Sequence, residues 1–405
     1  MNNKVTKSSP KERALELLAD PLFLHRAGLA IGALGVVGEE RNRLTIFLAG
    51  ITKELDDPVS VLFKGESGSG KSNTVTHTLQ LFPTESVLEL SSLSAKALVH
   101  SDESLSKRIL FIQEYRGGKD AQLLIRLQQS EGRVAHEYTT MIGRQHGTRV
   151  AEKSGKPVVI TTTTDDKVYQ DDETRFLSLH ADSSAAQSLA IVKAAVHRIR
   201  SKIAPALSVW RTALSLVKQR DGDFLHPPVW LEYVAAHLPL EKVRVRRDWN
   251  RFLSLCSACA LLRLREERRP VNITFADYAV AYRILEPAFA ATTHGIHHNE
   301  LAVVRAVEKL RGRSKAGVTA REIGDFLGWK EGIVYKYVRI AAKGGRLAFS
   351  TGTHERNQKF ILLIPDRNAG FLPRPVVVFR NNEELGPVAR YADPLTGKTL
   401  IFRRE

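Results

Sequence analysis

Three observations predict an α/β fold built on a five-stranded, mostly parallel sheet. Short apolar runs of strand character alternate with helical stretches from Pro58 to Asp182, a glycine-rich loop follows the first run directly, and helical periodicity takes over from Ala185. The five runs are PVSVLF (58–63), SVLEL (86–90), RILFIQE (108–114), PVVITTT (157–163) and RFLSLHA (175–181). Between them the pattern predicts a helix opening at Gly70, a second over Ser94 to Val99 and a third over 120–132, where Leu123, Leu124 and Leu127 share one face. The stretch 132–155 breaks the alternation: Val134, His136 and Tyr138 alternate as in a strand, GRQHG makes a turn, and TRVAE follows as a second, short strand, which together predict a β-hairpin ahead of the fourth sheet strand.

The remaining chain divides by composition. Residues 1–57 form an N-terminal helical segment, 58–184 the sheet domain, 185–299 a helical region, 300–365 a further unit, and 366–405 a docked or flexible tail with several prolines and no clear periodicity. With 405 residues, 43% hydrophobic and 26% charged, the chain exceeds one typical core, and disordered and collagen-like classes are excluded. The net charge of +16 points to a polyanionic partner, nucleic acid first. The two cysteines, Cys256 and Cys259, lie in an apolar run without a second pair at metal-ligand spacing, so they are read as buried helix residues. The N-terminus lacks a signal-peptide core and the segment FLHRAGLAIGALGVVG is too short and interrupted to span a bilayer, so a cytoplasmic protein with no membrane partner is expected.

GESGSGKS at 65–72 carries the chemistry. It fits G-x-x-x-x-G-K-[ST] and stands after a strand and before a helix, where a loop that curls its N–H groups around phosphate must stand. ATP is therefore the expected ligand and Mg²⁺ its companion, with Gly65, Glu66, Ser67, Gly68, Ser69, Gly70, Lys71, Ser72 and Asn73 around the phosphates. Lys71 supplies the mobile cation and Ser72 a hydroxyl for the metal. An ATPase also needs an acid at the end of a neighbouring strand, and RILFIQEY provides Glu114 as general base or water-orienting residue, with Gln113 before it as a neutral partner for metal-bound water. The threonine run ending the fourth strand offers Thr163 or Thr164 to sense the γ-phosphate, and Arg175, after an acidic turn, can neutralise transition-state charge in a neighbouring subunit or pair with Asp171, Asp172 or Glu173.

The phosphate loop, the Gln113-Glu114 strand, the hairpin, the threonine run and Arg175 together resemble AAA+ ATPases of the branch with a hairpin before the sensor strand. The order of LFKGESGSGKS, LSSLSAKALVHSDESL, SEGRVAHEYTT and DDETRFLSLHAD is similar to the helicase-like ATPases of phages and other mobile genetic elements, distant relatives of minichromosome-maintenance (MCM) helicases, over residues 30–265. The resemblance implies a ring, commonly a hexamer, with nucleotide between subunits, and a helical lid carrying a second sensor arginine, Arg247 or else Arg246. It also implies a hairpin that grips single-stranded DNA in a central channel, with Arg144, Gln145 and His146 at the tip and Arg149 and Lys153 on the returning arm. Gln113 departs from the family's usual Asp, and no primase or zinc module is read ahead of the motor.

Residues 300–365 read as three helices and a two-stranded wing, the grammar of a winged helix-turn-helix that docks on duplex DNA. Thr319 and Glu322 form a capping box, and the third helix, Lys330 to Lys343, is expected to bury Ile333, Tyr337 and Ala341 while Lys330, Lys336, Arg339 and Lys343 face outward, with Arg346 at the wing base. The expected function is an ATP-dependent DNA-translocating motor, a replicative DNA helicase of a mobile element working with other element-encoded replication proteins. The alternative is an ATP-switched DNA-binding regulator, loader or recombination adaptor that does not unwind DNA.

Overall fold

The computed structural model describes residues 9–91, 104–114, 132–142, 145–165, 173–198, 205–218, 227–263, 272–294, 298–311, 317–343, 347–349, 359–362 and 372–404. The helix expected over 94–99 lies outside them, as does the one expected over 120–132 except for its last residue, Gly132.

Three helices precede the sheet: α1 (Pro10–Ala19), opened by a Ser9/Glu12 capping box, α2 (Phe23–Leu34) and α3 (Glu40–Ile51). The sheet has the strand order β2-β3-β6-β1-β7 and is parallel throughout, from β1 (Val61–Lys64), β2 (Val87–Leu90), β3 (Ile109–Ile112), β6 (Val158–Thr163) and β7 (Leu177–His180). All five predicted strands are present. The three middle strands are buried along their whole length, which is why they read as unbroken apolar runs. Helix α4 (Lys71–Leu79) opens directly after the glycine loop.

Between β3 and β6 the chain runs out and back as β4 (Arg133–Ile142) and β5 (Gln145–Ser154), paired antiparallel with Ile142 opposite Gln145. Each arm has ten residues, so the ribbon is about 30 Å long at ~3.3 Å per residue. The second arm is therefore longer than expected: Gln145 and His146, read as turn residues, are ladder residues opposite Ile142 and Met141. Two glycines set its base. Gly155 donates its N–H to the Gly132 carbonyl at 2.8 Å, and a Cβ on Gly155 would stand 2.2 Å from Ser106 Oγ, so only glycine fits there.

Helices α5 (Ala185–Arg198), α6 (Leu207–Leu216), α7 (Trp230–Ala236), α8 (Val245–Leu261) and α9 (Phe275–His294) follow. Cys256 and Cys259 are fully enclosed free thiols on α8, and burial pushes both well above the ordinary thiol range. One core joins α2, α3, the sheet, α8 and α9. A second, separate core lies among α10 (His298–Arg311), α11 (Ala320–Leu327), α12 (Glu331–Lys343) and the small antiparallel sheet β8-β10-β9, formed by Val318–Thr319, Lys359–Leu362 and Leu347–Phe349. On α12 the buried residues are Val334, Tyr337, Val338 and Ala341, spaced i, i+3, i+4, i+7, whereas Ile333 is 44% exposed, contrary to the sequence expectation.

The last forty residues hold regular structure that prolines and short spacing concealed. Helix α13 (Pro375–Arg380) and the hairpin β11 (Val388–Ala392) with β12 (Thr399–Arg403) return to the first core. Phe379 and Phe402 pack on Phe275 with ring centres 5.7 and 5.4 Å away, Tyr278 donates to the Pro373 carbonyl at 2.6 Å, and Arg283 on α9 pairs with buried Asp393 at 3.1 Å. Among the described residues no single helix is long and apolar enough to cross a membrane; α1 and α2 would pass only together, bent by 120°.

Candidate nucleotide site

Strand β1 ends at Lys64 and the chain turns at once into the glycine loop. Gly65 takes φ +154°, Gly68 φ +80° and Gly70 φ +86°. A Cβ on Gly68 or Gly70 would meet nothing within 4 Å, so these two are required by backbone conformation and not by space. The Gly65 N–H donates to the Thr163 carbonyl at 3.2 Å, which fixes the loop to the end of β6. Lys71, the first residue of α4, is buried, and its ammonium is folded back onto its own loop, donating to the carbonyls of Gly65 at 2.8 Å and Glu66 at 2.7 Å and to Ser69 Oγ at 3.3 Å. Burial lowers its pKa, against the pull of Glu66. Glu66, Ser67, Gly68, Ser72 and Asn73 are exposed at the helix N-terminus, where free N–H groups and the dipole favour an anion. The loop thus leaves exposed N–H groups at the start of α4, with its cation parked on neutral oxygens.

Gln113 and Glu114 are exposed at the end of β3, one strand beyond β6 from the loop. The Gln113 amide donates to Glu89 Oε1 on β2 at 2.9 Å, so its nitrogen is turned toward the sheet edge. Of the two sensor candidates, Thr163 is buried and its hydroxyl accepts the Asp165 N–H at 3.0 Å, while Thr164 is exposed at the strand end. The hydroxyls of Thr161 and Thr162 go to the carbonyls of Ile112 and Gln113. Ser72 and Glu114 are hard oxygen donors that suit Mg²⁺ held through water and substrate phosphates. Such a site needs no protein-only cage, and among the described residues no cluster of three or more His, Cys, Asp or Glu forms one.

A second wall escaped sequence reasoning. Glu39, in left-handed conformation at the start of α3, accepts the Asp182 N–H at 2.7 Å and an Asn42 amide proton, and Asn42 also donates to the His180 carbonyl at 2.8 Å. Gln187 on α5 donates to the Val37 carbonyl at 2.7 Å. These bonds tie 37–42 to α5 and to the end of β7, where Ala181 lies so close that a Cβ on Gly65 would stand 2.9 Å from its own. Burial raises the Glu39 pKa, against the two hydrogen bonds. No motif marks such residues, because polar side chains bonded to main-chain N–H and carbonyl groups are common everywhere.

Arg175 stands in the turn ahead of β7, and Glu173 in that turn pairs with Lys64 at 2.6 Å. Arg247 is exposed at the first turn of α8 and donates to Thr174 Oγ1 at 2.7 Å, so its hydrogen bond goes to the Arg175 turn; Arg246 is exposed beside it. Of the DNA candidates, Arg144 and Arg346 lie outside the described residues. His146, Arg149 and Lys153 occupy ladder positions on β5 opposite Met141, Tyr138 and Val134, and Lys330, Lys336, Arg339 and Lys343 are exposed at and along α12.

A family model described as the MTBMA_p00010 P-loop domain matches residues 37–219, which contain the sheet, the glycine loop and the Arg175 turn. No curated protein matches the chain. Among solved structures, it is similar to a full-length MCM homolog from Methanopyrus kandleri, at 12% identity and a TM-score of 0.47, over 72% of this chain and 64% of that one. It is also similar to Drosophila ORC bound to DNA (15% identity, 90% and 91% covered, TM-score 0.25) and to the Aeropyrum pernix ORC1 protein in complex with DNA (12% identity, 84% and 92% covered, TM-score 0.26). The chain thus spans 64% of the length of the Methanopyrus protein. An α/β nucleotide-binding P-loop domain is what the sheet, the loop and the family match have in common.

Proposed function

We propose that the chain is a ring-forming AAA+ ATPase that moves along DNA, a replicative helicase of a mobile element. The observation that carries the nucleotide part is the cradle: a buried lysine amine held by three loop oxygens at a helix N-terminus, ready to exchange them for β and γ oxygens of ATP. Ser72 and Glu114 would hold Mg²⁺, which neutralises phosphate charge when bound. Glu114 directs water at the γ-phosphate, Thr164 or Thr163 orients it, Arg175 stabilises the departing charge in the site of a neighbouring subunit, and Arg247, on α8 and bonded to Thr174, is the second sensor. The hairpin, through Arg144, His146, Arg149 and Lys153, grips one strand. The unit of α10–α12 and β8–β10 is a winged helix that places Lys330, Lys336 and Arg339 on duplex DNA, with Arg346 on phosphate.

The binding of the Gln113 amide to Glu89 favours a second reading, a slow ATPase that switches DNA binding without unwinding. Strand displacement on forked DNA by wild type, Lys71→Ala and Glu114→Gln separates the two. The motor displaces the strand and both variants do not. DNA-stimulated ATP hydrolysis by the wild type without displacement would leave the switch. Light scattering with and without ATP reports the ring.

A further inference from the structure

The turn that carries Arg175 is held from outside by one helix. On α8 and its N-cap, Asp248 is fully buried and gives one carboxylate oxygen to each of two arginines: Oδ2 accepts from Arg244 Nε at 3.1 Å and Oδ1 from Arg251 Nη1 at 2.8 Å. Each guanidinium also donates through Nη2 to main-chain carbonyls of the turn. Arg244 Nη2 donates to the carbonyls of Glu173 and Phe176, both at 3.3 Å, and Arg251 Nη2 to the carbonyl of Thr174 at 2.5 Å. The carbonyls taken lie on both sides of Arg175. From the sheet side, buried Lys64, the residue before the glycine loop, pairs with Glu173, whose Oε1 also accepts from Ser178 Oγ at 3.4 Å.

We propose that Arg244, Asp248 and Arg251 are positioning residues for Arg175: they fix the backbone of its turn in place, so that the Arg175 guanidinium is presented at a set position to the phosphates it serves. A planar guanidinium reaches the Asp248 carboxylate and the Thr174 carbonyl from two nitrogens at a fixed spacing, whereas an ammonium presents all its donors from one nitrogen on a flexible stem, so lysine at 251 holds the turn less firmly. Burial first, and then the neighbouring Arg244 and Arg247, lower the Arg251 pKa to about 10, and it still stays protonated at neutral pH. The three residues share no side-chain chemistry with nucleotide and act on hydrolysis only through Arg175. The inference rests on the proposed role of Arg175 in charge stabilisation.

The test is a double-mutant cycle on DNA-stimulated ATP hydrolysis by the full chain, with wild type, Arg175→Ala, Arg251→Lys, Arg244→Gln and the double variant Arg175→Ala/Arg251→Lys, alongside binding of a fluorescent ATP analogue. Arg175→Ala is expected to lower kcat about a thousandfold. Arg251→Lys and Arg244→Gln should each lower it about tenfold to a hundredfold with unchanged KM and unchanged analogue affinity, and Arg251→Lys should add no further loss in the Arg175→Ala background. Unchanged analogue affinity also shows that the variants fold. If Arg175→Ala hydrolyses normally, the reading of Arg175 falls and the positioning role with it. If Arg175→Ala is impaired but Arg251→Lys and Arg244→Gln are normal, or if Arg251→Lys lowers the rate by the same factor with and without Arg175, the positioning proposal alone is overturned.

Discussion

The glycine loop and the Arg175 turn lie beside neighbouring strands, β1 and β7, and are built on opposite principles. The loop is held by almost nothing but its own backbone: three positive φ angles, one hydrogen bond to Thr163 and a lysine resting on carbonyls of the same loop. The turn has little regular structure of its own, and three arginines, one buried aspartate and a lysine from β1 hold it from both sides. A group that must exchange partners when a ligand arrives keeps weak, local ones. A group that must be found in the same place each time is fixed by contacts from distant parts of the chain.

That contrast can be broken most directly at Lys71. Lys71→Ala should lower ATP hydrolysis at least about a hundredfold while thermal unfolding stays close to wild type, since the lysine's own contacts are replaceable by water. A large drop in melting temperature would mean the loop is structural after all. Asp248→Ala should do the reverse to the fold: it leaves Arg244 and Arg251 buried without their partner, and urea unfolding should show a loss of about 3–5 kcal/mol. Gly70→Ala sharpens the comparison, because a Cβ there has room but the left-handed backbone already present without ligand costs about 1–2 kcal/mol, read as a loss of that size in urea unfolding, smaller than that of Asp248→Ala. The smallest effect is in pH. Burial depresses the Lys71 pKa in the free protein and phosphates favour its charged form, so nucleotide binding takes up a proton on the alkaline side. Affinity should therefore fall as pH rises through the lysine's depressed pKa toward 10.5, and calorimetry on Lys71→Met should lose that arm.

Legibility in the sequence followed the same divide. The glycine loop, the five strands and the ends carrying Glu114 and Thr163 could be read because each obeys a local rule, an apolar run or a fixed spacing. The holders of the Arg175 turn could not, since Arg244 and Arg251 reach residues about seventy positions away. One signal was available: Asp248 is the single acid among four arginines in RVRRDWNR, at i−4 and i+3 spacing to two of them. Ile333 was misplaced because the apolar positions of α12 fit two overlapping stripes, and only packing into the core shared with α10, α11 and the small sheet selects Val334 and Val338. The fold of residues 372–404 was hidden because a six-residue helix and five-residue strands are too short for periodicity to declare itself.

Those residues have a consequence for the order in which the molecule can be made. The rings of Phe379 and Phe402 cover Phe275, and Arg283 receives Asp393, yet everything from α10 to β10 lies between them in the chain. The main body is therefore a discontinuous domain with the small three-helix unit spliced into it, tethered at both ends. During synthesis α9 must wait, with its aromatic face uncovered, until the whole inserted unit has been translated, and in the finished protein no single backbone cut beside that unit would free it.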